Sequence, residues 1–172
     1  MTEKLIYKNK YLHIRKSKNY YFYDENEIQV MILPVISKKK FIFVKQYRRP
    51  LNKITYEFPA GGCLNKTEKP IDAAIRELKE ETGISLSKKK FHKLNTVSAN
   101  PQRQKKLVHI YLANIGTREL NKKSKVNSSE ITSVEIKSFR EVVELFKKKK
   151  IISGVVGFVF LNYLINNKIT KL

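Results

Sequence analysis

Glu77, Glu80 and Glu81 fall within five residues, beside Arg76, in a chain where Lys and Arg outnumber Asp and Glu by 36 to 15. On a helix, residues three and four apart share a face, so these carboxylates crowd one another. Each like-charge pair costs roughly a few tenths of a kcal/mol. A local penalty with no structural return points to function. Carboxylate oxygens are the donors that Mg2+ and Mn2+ prefer. The chemistry expected is therefore a divalent-cation site, with Glu77 and Glu81 as direct ligands. Glu80 would share a second ion or act as a base. Arg76 is suited to orienting or neutralising a carboxylate from behind. The plainer alternative is a solvated acidic face with Arg76 and Lys79 as partners.

The elements that must position these groups are legible around them. Pro70 suits the first turn of a helix, and Gly83 suits the stop. The residues between them are mostly strong helix formers, with Ala74, Ile75 and Leu78 available for the buried side. Upstream, 5–23 alternates loosely and predicts two or three short strands, followed by a turn at 24–27. The apolar run 28–36 predicts a buried strand, and 41–46 its hairpin partner. Further strands are expected near 55–58, 91–98, 107–113 and 131–136. The stretch 121–130 is polar and reads as a loop. Segment 139–146 has helical apolar spacing, with Ser138 and Glu141 as a capping box. The apolar run 151–165 follows a lysine cluster but is shorter than the ~20 residues a membrane span needs. It reads as a terminal helix packed on the sheet.

A wider pattern joins these pieces. Gly62, five residues, Glu68, seven residues, Arg76-Glu77-Leu78, one residue, Glu80-Glu81, one residue and Gly83-Ile84 make nine defined positions over 23 residues. This is similar to the Nudix box, and the chain resembles the Nudix hydrolases. The resemblance implies an α/β fold, an α/β/α sandwich with a mixed sheet. It also implies Mg2+-dependent cleavage, with Mn2+ as an alternative ion, of a nucleoside diphosphate linked to another group. Gln46-Tyr47-Arg48, Glu57-Phe58-Pro59-Ala60-Gly61 and Pro101, 17 positions beyond Ile84, look like the ADP-ribose pyrophosphatase branch.

That branch implies a nucleoside diphosphate sugar as substrate. It also implies a small N-terminal antiparallel β segment, here 1–27, ahead of a hydrolase domain, 28–172. The metal group would be Glu77, Glu81, Glu80 and the carbonyl of Gly61, or of Ala60 if the loop bulges. Catalytic roles would fall to Glu80, Arg76 and Glu130, the last a general base carried in on its loop. Arg48, Glu57 and Pro101 would bind substrate. The ordinary alternatives are a solvated cation for Arg48, a strand-end ion pair for Glu57 and an exposed loop acid for Glu130. Tyr20, Tyr21, Phe22 and Tyr23 are candidates to wall a base, though strand aromatics are more often core. The branch also implies a two-fold homodimer through the N-terminal strands, which need a surface for Leu5, Ile6, Tyr7, Tyr11, Leu12 and Ile14.

Composition bounds the rest. The 172 residues suit one domain, and 41% hydrophobic content is globular. The net charge of +21 attracts phosphates. The lysine runs, at 38–40, 88–90, 122–123 and 147–150, are scattered and not interleaved with aromatics. No specific nucleic-acid partner is expected, and an RNA 5′-end pyrophosphohydrolase is the runner-up enzyme. A non-catalytic nucleotide-binding module is disfavoured by the intact box. Cys63 is the single cysteine, so no internal disulfide forms and a reducing, cytoplasmic setting is expected. The N-terminus lacks the apolar core of a signal peptide.

Overall fold

The computed structural model describes residues 3–10, 12–25, 28–121 and 125–167. Tyr11, Asn26, Glu27, Lys122 and Lys123, named above, lie outside these residues. Three strands, β1 (Lys4–Lys8), β2 (Leu12–Ser17) and β3 (Tyr20–Glu25), form an antiparallel sheet in that order. β3 takes in Asp24 and Glu25, where a turn was expected, because both stay paired, with His13 and Leu12 of β2.

The larger sheet holds β4 (Gln29–Ile36), β5 (Lys40–Arg48), β6 (Lys53–Glu57), β7 (Ala60–Gly62), β8 (Phe91–Val97), β9 (Val108–Ile115) and β10 (Ile131–Ser138). Its order is β10-β5-β4-β9-β8, with β6 on β5 and β7 on β4. β4 runs parallel to β9, and the other pairs are antiparallel, so the sheet is mixed. β4 shows why it is buried on both sides. Alternate side chains of a strand point to opposite faces. Val30, Ile32 and Ile36 enter one core, and Met31, Leu33 and Val35 enter the other. A strand apolar on both faces needs two covers.

Helix α1 (Pro70–Thr82) supplies the first cover through Ala73, Ala74 and Leu78. It ends where Gly83 turns left-handed at φ 74° and donates its N–H to the Lys79 carbonyl. A five-residue helix, α2 (Thr117–Asn121), follows β9 and was not foreseen. Helices α3 (Phe139–Lys147) and α4 (Gly154–Asn166) form the second cover. Val142 of α3 and Val156, Val159, Phe160 and Tyr163 of α4 fill it, with Phe160 edge-on to Phe41. The expected capping box of Ser138 and Glu141 starts α3. Two covers on one mixed sheet make the α/β/α sandwich. No helix among the described residues is long and apolar enough to cross a membrane.

Candidate active site

The short strand β7 and helix α1 are the two walls of the site. The β4–β7 ladder sets Gly61 opposite Val30 and Ala60 opposite Met31. Arg76 then ties helix to loop. Its guanidinium donates to Glu68 (3.1 Å), Glu77 (2.6 Å), Glu80 (3.1 Å) and the Gly62 carbonyl (2.7 Å). Glu68 also accepts the Leu64 N–H at 2.6 Å, which closes the loop on itself. Burial opposes the charge on Arg76, but the carboxylates of Glu68 and Glu77 outweigh it and hold the guanidinium charged.

Of the three glutamates on the helix, two are held by that cation and the third is not. Glu77 and Glu80 both turn to Arg76. Burial still pushes the Glu77 carboxyl above its ordinary range, against the pull of Arg76, with the charge of Glu80 adding to the rise. Glu81 is 8% exposed and accepts the Ala60 N–H at 3.1 Å. Burial pushes its carboxyl up to about 8; the Ala60 N–H opposes the shift and the charge of Glu77 adds to it. Gly61 lies directly against Glu77: a Cβ at position 61 would stand 2.2 Å from the Glu77 carboxyl carbon. Only a glycine admits this approach.

Facing them is one polar face of the β5–β6 hairpin. Gln46 pairs with Thr55, Val44 with Glu57 and Arg48 with Lys53, so Gln46, Arg48, Thr55 and Glu57 share a side. Arg48 reaches diagonally to Glu57 in a two-pronged pair of 2.8 and 2.6 Å. Thr55 donates to the same carboxylate at 2.6 Å. Burial works against the charge on Glu57, yet these donors hold it below the usual carboxylate range. A guanidinium has five N–H donors, so Arg48 keeps donors for a phosphate. Glu130 comes from the end of the loop before β10. Its carboxylate accepts a hydrogen bond from the buried Gln46 amide.

A cavity of about 360 Å3 brings Arg48, Glu57, Gly61, Glu81 and Glu130 together with Gln46. Pro101 is not among them. It lines a second cavity of about 520 Å3, with Tyr20 and Phe22 of the N-terminal sheet. Tyr21 and Tyr23 line a third, with Leu12 and Ile14. Within the single chain, the aromatic candidates thus stand apart from the carboxylates. Gln46 and Thr55 carry no role in the sequence reading. Alternation along β5 and β6 places them on the face of Arg48 and Glu57, and Gln46 also opens the Gln46-Tyr47-Arg48 stretch quoted above.

Among the described residues, no three His, Cys, Asp or Glu side chains stand as a ready metal-binding group. The donor set nevertheless fits a hard divalent cation. Glu77, Glu81 and the carbonyls of β7 are all oxygen donors. A buried carboxyl raised to about 8 is a group that a nearby cation would return to its charged form.

The NUDIX domain family model matches residues 25–155. The ADP-ribose pyrophosphatase of Bacillus subtilis (strain 168) is 31% identical over 129 residues, covering 75% of this chain and 68% of that protein. The methanol dehydrogenase activator of Bacillus methanolicus is 30% identical over 122 residues, covering 71% and 64%. A crystal structure of an ADP compounds hydrolase superposes with a TM-score of 0.72 at 16% identity, over 97% of this chain and 94% of that one. With Arg76 of the box and Gly61 just before it both explained by contacts to the box glutamates, and a family match over most of its length, the chain belongs to the Nudix family and is a Nudix hydrolase.

Proposed function

We propose that the chain is a divalent-metal-dependent pyrophosphohydrolase that cleaves ADP-ribose or a related nucleoside diphosphate sugar to a nucleoside monophosphate and a sugar phosphate. One observation carries the reading: buried Glu81 and Gly61, the neighbour of Glu77, open onto the same cavity as Arg48, Glu57 and Glu130. Metal ligands, a phosphate-binding cation and a loop-borne base would then meet at one place. The similarity to a protein named ADP-ribose pyrophosphatase supports the substrate class.

Glu77, Glu81 and the Gly61 carbonyl would hold Mg2+ or Mn2+, with Glu80 alongside. Such an ion, when bound, neutralises pyrophosphate oxygens and makes a bound water more acidic. The chain's own residues supply the rest. Arg76 holds Glu77 and Glu80 in place from between the helix and the loop, where it also bonds Glu68 and the Gly62 carbonyl. Arg48 offers N–H donors to a phosphate, while Glu57 and Thr55 fix the direction of its guanidinium. Glu130 accepts the proton of the attacking water.

Pro101 lies beside the N-terminal sheet, in the cavity with Tyr20 and Phe22. Leu5, Ile6, Tyr7, Tyr20 and Tyr21 of that sheet are 44% to 50% exposed. We take residues 1–27 as a separate unit that pairs with its copy across a two-fold axis. That pairing would bring Pro101 and the aromatic residues toward a partner's substrate. A cytoplasmic setting belongs to the same proposal, since Cys63 is a buried thiol and reducing compartments keep thiols in that form.

The test is a substrate panel with Mg2+ or Mn2+, covering ADP-ribose, other nucleoside diphosphate sugars, diadenosine polyphosphates and 5′-triphosphate RNA. Release of AMP and ribose 5-phosphate from ADP-ribose, abolished by EDTA, is expected. Preference for 5′-triphosphate RNA would replace this reading with the RNA-end one, to which the charge of +21 is suited.

A further inference from the structure

We infer that Gln46 is a positioning residue, which holds the loop acid Glu130 at the cleft. The inference rests on the reading of Glu130 as the proton acceptor. Three observations carry it.

The first is the pairing of a buried amide with a loop carboxylate. Gln46 is 5% exposed on β5, and its Nε2 donates to Glu130 Oε2 across 84 positions of sequence. The β5–β10 ladder makes this possible, because Ile131, next to Glu130, is the register partner of Gln46. A buried amide left without an acceptor costs about 1–3 kcal/mol, so the loop acid is drawn to this strand.

The second is a second tether on the same loop. The Asn127 N–H donates to the Glu80 carbonyl at 2.8 Å. The loop is thereby fastened at one end to the helix of the box glutamates and at the other to β5. Its acid lies over the cavity between the two.

The third is the chemistry of the tether. The same cavity holds two acids fixed in different ways. Glu57 is clamped by a guanidinium and a hydroxyl, which hold it below the usual carboxylate range and make it a poor base. Glu130 is oriented by an uncharged donor. A neutral amide gives direction without adding a full positive charge. One acid is built to steer Arg48, the other to accept a proton.

The experiment combines exchange and kinetics on the full chain. Gln46→Met keeps length and bulk and removes the donor. Glu130→Gln removes the charge from an exposed position and cannot disturb the core. Hydrogen–deuterium exchange of the peptide spanning 125–132 is measured first, without substrate, since it does not depend on turnover. Exchange is expected to rise at least 5-fold in Gln46→Met, with the β4 and α1 peptides unchanged. Glu130→Gln keeps a side-chain oxygen that can still accept from Gln46, so its loop exchange is expected to stay within about 2-fold of the parent. Steady-state kinetics on the substrate found active should then show kcat down 10- to 100-fold in Gln46→Met, with KM within 3-fold. The double variant should be no slower than Glu130→Gln alone.

Unchanged loop exchange in Gln46→Met overturns the tether. Additive losses in the double variant, or a change confined to KM, overturn the positioning role. Near-parent kcat in Glu130→Gln overturns the base itself, and is recognised separately because loop exchange in Gln46→Met still responds. A parent that turns over no member of the panel sinks the functional reading and the role of Gln46 in it, while the exchange result still reports on the tether.

Discussion

Glu81→Gln should raise the stability of the metal-free protein, although it removes a proposed metal ligand. The carboxyl is 8% exposed, and its value is raised from an ordinary 4.5 to about 8. A carboxyl raised by folding favours the folded state at low pH. Its contribution is full below about 4.5 and is lost as the pH rises toward 8. At pH 7 the unfolded chain holds the group ionised, while the folded chain must keep a proton on it or bury the charge. The gap from 4.5 to 7 is about 2.5 pH units, which at 1.36 kcal/mol each is about 3 kcal/mol. Glutamine is neutral at every pH, and its side-chain oxygen can still accept the Ala60 N–H. The gain should therefore be about 3 kcal/mol at pH 7 and about 1 kcal/mol at pH 5. For a chain of this length that corresponds to roughly 6–12 °C in Tm at pH 7. The assay is thermal melting of parent and variant in EDTA across pH 5 to 8. Acids such as Glu57, whose values are lowered, cancel in the difference. Mg2+ should raise the parent's Tm, more so at higher pH as it competes with the proton, and should barely move the variant. A variant that melts with or below its parent in EDTA at pH 7 would refute the burial argument. So would a gain that does not grow with pH.

Gly61→Ala should separate site from fold. The new Cβ meets the carboxyl end of the Glu77 side chain and not backbone, so the main chain can stay in place and the cost is that of turning Glu77 from Arg76, about 1–3 kcal/mol. Displacing Glu77 should lower kcat at least 100-fold; kcat within 5-fold of the parent, with an unchanged Tm, would show that Glu77 need not sit there. Arg76→Lys keeps the charge but not the fork that reaches Glu68, Glu77, Glu80 and Gly62. It should destabilise by about 2–4 kcal/mol in urea melts and cut activity sharply, and a silent substitution would remove Arg76 from the organising role. The N-terminal sheet should support a dimer. Light scattering at micromolar concentration is expected to read twice 20.2 kDa for the full chain and the monomer after removal of residues 1–27. A full-length monomer, or a truncated dimer with unchanged KM, would sink that proposal.

What could be read without the structure follows the range of the interactions. The box helix was legible because its signals are local: Pro70 and Gly83 mark its ends, and a spacing of three and four aligns the glutamates. The layers were legible from β4, whose nearly continuous apolar run demands a cover on each face. β7 was not, since Ala60–Gly62 is too short and too small to carry a strand pattern, and pairs only because β4 is there. Arg48 and Glu57 stood out singly as candidates. Their bond needs the β5–β6 register, which brings residues nine apart onto one face. Pro101 lies at the distance from the box that the family pattern suggests, yet Tyr23 bonds the Arg103 backbone and draws its turn to the N-terminal sheet. Gln46 was the hardest to see. Its partner is 84 residues away, and no period or motif spans that gap. Only the return of β10 along β5 converts a buried amide in a strand and an acid in a polar loop into one arrangement. Local spacing thus puts on one helix face the glutamates proposed to hold a cation. The strand registers decide which acid is pinned by a guanidinium and which is met by a neutral amide.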